Sequence, residues 1–132
     1  MKQELVKAAQ EALQQAYAPY SGYRVGAAVL AGQDVFKGVN IENASYGLTI
    51  CAERSAVAAA ISSGARQIQG VAIAVEIGAP SPCGACRQVL REFGTDFPVY
   101  LVAGDGAVRE TTIKLLLPGS FGPEFLAKED NH

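Results

Sequence analysis

The sequence predicts an α/β fold: a three-layer α-β-α sandwich around a mixed sheet of roughly five strands. Strand-like and helix-like segments alternate in the order α-β-β-α-β-α-β-β-α, which calls for a sheet with helices on both faces. One run, "IQGVAIAVEI" (68–77), is apolar without alternation, as a strand covered on both sides is. The 132 residues suit a single domain, 1–132, with no internal repeat, linker or low-complexity segment.

Leu5, Ala9, Ala12, Leu13 and Ala16 recur at helical spacing, with Lys7, Gln10, Glu11 and Gln14 between them. This predicts an amphipathic helix of about four turns, stopped by Pro19. "YRVGAAVLAG" (23–32) and "VFKGVNIEN" (35–43) read as two strands of a hairpin turning at Gln33-Asp34 beside Gly32. "CAERSAVAAAISSG" (51–64) is a helix, apolar nearly all round and ended by Gly64. After strand 68–77 come a helix, "CGACRQVLREFG" (83–94), and two strands, "PVYLVAG" (98–104) and "AVRETTI" (107–113), joined at a Gly-Asp-Gly turn. A short helix in "IKLLLPG" precedes the tail.

Composition narrows the function. Apolar residues make up 49% and charged residues 18%, with net charge −2. No basic surplus exists to neutralise a phosphate backbone, so nucleic acid is not expected as the main partner. The first 17 residues are polar and helical, unlike a signal peptide, and no run of about 18 apolar residues occurs. A cytoplasmic protein without membrane contact is expected, so its three cysteines are expected to be thiols, thiolates or metal ligands. The single histidine, His132, ends the chain and is read as a bystander.

Cys51 opens the second helix, and Cys83 and Cys86 flank the start of the third. Strand-to-helix junctions at one sheet edge converge on one crevice, so the three thiols can meet there. Helix N-termini favour thiolates, and zinc binds thiolates tetrahedrally. Three protein ligands leave a fourth position for water, the arrangement of a catalytic site. Glu53, two residues after Cys51, can stand beside that water and take its proton. Three thiolates make zinc a weak Lewis acid unless charge is drawn off the sulfurs; Arg54 and Arg87 are placed to donate to them. Taken singly, these features have plainer readings: a redox pair for Cys83 and Cys86, core packing for Cys51, a first-turn helix acid for Glu53 and surface charges for the arginines. The combination of C-x-E and P-C-x-x-C favours a catalytic zinc site, one ion per chain.

"CAE" followed by "PCGAC" resembles the zinc nucleoside and nucleobase deaminases. "AYAPYSGYRVGAAV" (16–29), "GVNIENASYGLTICAERSA" (38–56), "SPCGACRQVL" (81–90) and "LLPGSF" (116–121) are similar to the small homotetrameric cytidine deaminases over about 125 residues. The resemblance implies hydrolytic deamination of cytidine and deoxycytidine at C4 in pyrimidine salvage. Cys51, Cys83 and Cys86 would hold zinc, and Glu53 would move protons from water to N3 and to the departing amine. It also implies that the Ala52 N–H meets O2 of the base, that the Ser81 carbonyl accepts from the amino group, and that Asn40 and Glu42 recognise the ribose hydroxyls. Strand alternation would put residues 40 and 42 on one face. Tyr23 stands where the family usually has a phenylalanine packing on the base. Phe121 matches a residue given to a neighbouring subunit's site, and Tyr46 falls at that boundary. A homotetramer is implied; the apolar helix 51–62 independently suggests more burial than one small domain supplies. Competing readings are a blasticidin-type or nucleic-acid deaminase, a non-enzymatic zinc module and a dithiol redox protein.

Overall fold

The computed structural model describes residues 1–126; His132 lies outside them. Helix α1 (Lys2–Ala12) runs into a 3₁₀ turn at Leu13–Gln15 and ends before Pro19. Tyr17 is already extended and bridges to Ile41. Strands β1 (Val25–Ala31) and β2 (Asp34–Val39) form a hairpin in which Ala31 faces Asp34. The turn is therefore Gly32-Gln33, with φ 67° at Gly32, a conformation that glycine adopts without strain. Helix α2 (Ala52–Ser62), strand β3 (Gly70–Val75), helix α3 (Gly84–Arg91), strands β4 (Pro98–Val102) and β5 (Val108–Thr112), and the short helix α4 (Ile113–Leu116) follow. The element order is the expected one.

The five strands lie in the order β2-β1-β3-β4-β5. Only β3 and β4 are parallel, and α3 is their crossover. Alternation sorts the side chains between two cores. Ala27, Val29, Val71, Ile73, Val99 and Leu101 pack toward α2 and α3; Ala28, Ala72, Ala74, Tyr100 and Val102 pack toward α1. This is the α-β-α layering that the doubly apolar strand predicted.

Two glycines let the layers approach closely. A Cβ on Gly38 would fall 2.2 Å from the Ala56 nitrogen and 2.7 Å from the Ala52 carbonyl oxygen. A Cβ on Gly26 would fall 2.3 Å from the Ala9 carbonyl oxygen. The first turn of α2 thus rests on the backbone of β2, which fixes where α2 begins. At the far end of α3, the buried Arg91 donates from Nε to Ser120 Oγ at 2.8 Å and pairs through Nη2 with Glu124. Gln88 Nε2 donates to the Phe121 carbonyl at 2.9 Å. One helix therefore carries two cysteines at its start and anchors the chain's last described turn at its end. No helix among the described residues is long and apolar enough to cross a membrane.

Candidate active site

Helices α2 and α3 begin at the same end of the sheet, where Val25 of β1 lies opposite Val75 of β3. Cys51 is the residue before α2, Cys83 the residue before α3, and Cys86 lies within the first turn of α3. Their sulfurs lie within 4.8 Å of one another. Tetrahedral zinc–thiolate bonds of about 2.3 Å put sulfurs about 3.8 Å apart, so a small closure would seat the ion. The cysteines border a cavity of about 220 Å³ with Glu53, Tyr23, Asn40, Ala52 and Ser81. Val25, Ile73 and Val75 supply its apolar lining.

Burial and charge bear on whether this donor set fits a cation. The Cys83 thiol is pulled below its ordinary range, chiefly because its sulfur accepts the Cys86 N–H at 3.5 Å. Cys86 is pushed far upward by burial and then by the negative charge of Glu53. Glu53 is only 6% exposed, and burial holds its carboxyl above the ordinary range. Three thiolates and a carboxylate at such close quarters need a compensating positive charge. A divalent cation supplies it, and soft thiolates select zinc. Arg54 supplies part as well: its Nη2 lies 3.7 Å from Cys51 Sγ, and its Nε is buried without a hydrogen-bond partner.

Arg87 corrects an expectation. It donates to no thiolate: Nε reaches the Pro82 carbonyl at 2.8 Å, Nη1 the Leu116 carbonyl at 2.7 Å, and Nη2 Ser81 Oγ at 3.1 Å. Side chains on a helix lean toward its N-terminus, so an arginine in the first turn folds back over the preceding loop. Arg87 braces residues 81–82 against the end of α4.

The expected strand across residues 40–43 also differs. Strand β2 stops at Val39, and Ile41 makes only isolated bridges to Tyr17 and Ile50. Without strand alternation, Asn40 and Glu42 line different cavities. Asn40 is buried beside the cysteines; its Oδ1 accepts from the Val25 N–H at 2.9 Å and its Nδ2 donates to the Tyr23 carbonyl at 2.7 Å. Glu42 borders a second cavity, of about 290 Å³, with Tyr20, Ser21, Asn43, Tyr46 and Thr49. Tyr20 and Tyr46 face each other there, ring centroids 5.9 Å apart. Thr49 borders both cavities. Phe121 lines neither; it is exposed and stacked on Phe125 at 5.5 Å.

Sequence reading passed over Ser21 and Thr49. Ser21 carried a faint signal, a hydroxyl in the turn "PYSG". Thr49 carried none beyond lying two residues before Cys51.

Residues 1–102 match the family described as the cytidine and deoxycytidylate deaminase zinc-binding region, and all three cysteines fall inside the match. The chain is 45% identical over 128 residues to a cytidine deaminase of Sporosarcina psychrophila, covering 95% of this chain and 94% of that one. It is 48% identical over 126 residues to one of Halalkalibacterium halodurans, covering 93% and 96%. A crystal structure of cytidine deaminase from Burkholderia pseudomallei superposes with a TM-score of 0.86 at 44% identity, covering 92% of this chain and 99% of that one.

Proposed function

Because the chain belongs to the cytidine and deoxycytidylate deaminase zinc-binding family, we propose that it hydrolyses cytidine, and likewise deoxycytidine, to uridine or deoxyuridine and ammonia. The observation that carries this reading is the buried Glu53 carboxyl in one cavity with three convergent cysteines. A closed structural site would need a fourth protein ligand, and the described residues offer three.

Cys51, Cys83 and Cys86 would hold one zinc ion per chain. Zinc, when bound, supplies Lewis acidity that brings the pKa of water to about 7. Glu53 takes the proton of the attacking water, delivers it to N3 of cytosine, and passes the second proton to the amine leaving C4. Burial raises its proton affinity, which suits a group that must both accept and return protons. Arg54 tempers the charge on Cys51. The Ala52 N–H, at the start of α2, is directed to O2 of the base, and the Ser81 carbonyl to the amino group. The Tyr23 ring covers the base, its backbone fixed by Asn40.

The sugar extends past Thr49 into the second cavity, where Glu42 accepts from a hydroxyl. Among the described residues that cavity is lined by a carboxylate and no cation, which favours a neutral nucleoside over its 5′-phosphate. Asn40 then has one amide hydrogen and one Oδ1 lone pair left for the sugar. A homotetramer is supported by apolar surface left uncovered on one chain: Tyr17, Ile41, Leu48, Ile50, Phe121 and Phe125 are all exposed. Phe121 would reach a neighbouring subunit's site, with Tyr46 at the boundary. We read the chain as a single domain, cytoplasmic, acting in pyrimidine salvage.

The decisive test is Glu53→Gln, followed by the loss of cytidine absorbance in the ultraviolet and by zinc analysis. The variant is expected to keep about one zinc per chain and to lose about three orders of magnitude in kcat. Undiminished turnover would overturn the proton-transfer role. Cytidine monophosphate and deoxycytidylate, run alongside, should be poor substrates.

A further inference from the structure

We propose that Ser21 is the positioning residue that aims Glu42 at the sugar, and so sets how tightly the nucleoside is held. The inference rests on the reading of Glu42 as a sugar acceptor and adds what makes that acceptor effective. Glu42 lies just outside β2, on irregular chain, and takes part in none of the ion pairs among the described residues. Its carboxylate is oriented from one side only, by residues 20 and 21. Oε1 accepts the Tyr20 N–H at 2.9 Å and the Ser21 N–H at 3.1 Å. Oε2 accepts from the Ser21 hydroxyl.

The hydroxyl is itself fixed. Ser21 Oγ accepts the Tyr23 N–H at 3.0 Å, a turn-type contact two residues on, so its single hydrogen is free for Glu42. A carboxylate offers about four acceptor positions, and these three donors leave about one, on Oε2. Both residues border the second cavity, so the remaining position is available to a ligand hydroxyl there. The same contacts lower the carboxyl's proton affinity, the Ser21 hydroxyl being the largest cause. The hydroxyl also links the two cavities: Tyr23, whose N–H it receives, borders the cavity of the cysteines. Without it, Oε2 has two vacant positions and freedom to turn, and the sugar meets a less ordered partner.

The test uses the zinc-loaded full chain and three substrates: cytidine, 2′-deoxycytidine and 3′-deoxycytidine. Glu42→Gln identifies the hydroxyl that Glu42 accepts from, because its KM penalty vanishes with the analogue lacking that hydroxyl. Ser21→Ala is expected to raise KM for cytidine about fivefold with kcat within about twofold, to keep its zinc, and to lose its penalty with the same analogue. Ser21→Thr, which keeps the hydroxyl, should restore KM to within about twofold. The double variant Ser21→Ala/Glu42→Gln should be no worse than Glu42→Gln alone. Ser21→Cys, a near-isosteric replacement with a weak donor, serves as a second lesion if Ser21→Ala folds poorly, with an intermediate KM expected. An unchanged KM in Ser21→Ala beside a raised KM in Glu42→Gln would overturn the inference. So would additive effects in the double variant, or a fall in kcat at constant KM. A Glu42→Gln variant with normal KM on every substrate would instead overturn the sugar reading of Glu42, a separate failure.

Discussion

The two adjoining cavities are built by different means. The one containing the cysteines is walled by the first turns of α2 and α3 and by strand ends, with Glu53, Ala52, Asn40 and Cys86 buried. Its neighbour is walled by loops and the start of a 3₁₀ turn at Tyr46–Leu48, with Tyr20, Ser21, Asn43 and Tyr46 exposed. Charge in the first is held by burial and helix ends; charge in the second is held by hydrogen bonds from a turn. Bond-breaking chemistry needs groups that do not relax, whereas recognition tolerates groups that settle onto a ligand. Lesions in the first cavity should therefore be close to all-or-none, and lesions in the second graded.

The largest expected effect tests the first half of that contrast. Cys86→Ser removes the buried thiol of the donor set and should reduce zinc to below about a tenth of one ion per chain, with activity down at least about a thousandfold. Elemental analysis beside an activity assay checks this; a variant with full zinc would break the comparison by showing that two thiols suffice. Asn40→Ala comes next, because Asn40 sits in the first cavity yet bonds only to main chain. Loss of its amide strands the Val25 N–H and the Tyr23 carbonyl, at a cost of about 1–3 kcal/mol in thermal or denaturant unfolding. Activity should fall about tenfold, between the two regimes, as Tyr23 loses its tether. The smallest effect lies outside both cavities, at Arg91 and Glu124. The Arg91 guanidinium holds the Glu124 carboxyl below its ordinary value of about 4.5. That contribution is fully present above the unfolded-state value and is lost as pH falls through the lower folded-state value. Glu124→Gln should lower the melting temperature by about 2 °C at pH 7, and the difference should shrink as acidification protonates the folded-state carboxyl, with zinc content unchanged.

The same division governs what could be read from the sequence. Cysteine and glutamate at fixed spacing, each at a helix start flanked by strands, stand out by residue type, so the meeting of Cys51, Glu53, Cys83 and Cys86 in one cavity was legible from the sequence. The layered fold was legible for a similar reason: side-chain period and the apolar run 68–77 are local properties. Arg87 was misread because its donors follow the lean of a helical side chain and the path of the 81–82 loop, neither of which is written in spacing. The partition between Asn40 and Glu42 was missed because β2 stops at Val39, three residues short of Glu42, so alternation does not reach the pair. Ser21 left only a faint signal for a third reason. Its partner lies 21 residues away, and the two segments meet through long-range contacts, the bridge between Tyr17 and Ile41 and the bonds of Asn40 to Tyr23 and Val25.

Thr49, the residue shared by both linings, marks a seam between two small chambers. On the proposed function, a nucleoside laid across that seam would have its base in one chamber and its sugar in the other, and its glycosidic bond would act as a tether between two weak ligands. A short tether presents the second fragment at an effective concentration in the millimolar range or above. Free cytosine and free ribose should each bind poorly, while their covalent union binds far better than either. Inhibitors built on that proposal would be assembled in halves, one fragment optimised against the thiols and Glu53, the other against Glu42, and the linker cut to the width of Thr49.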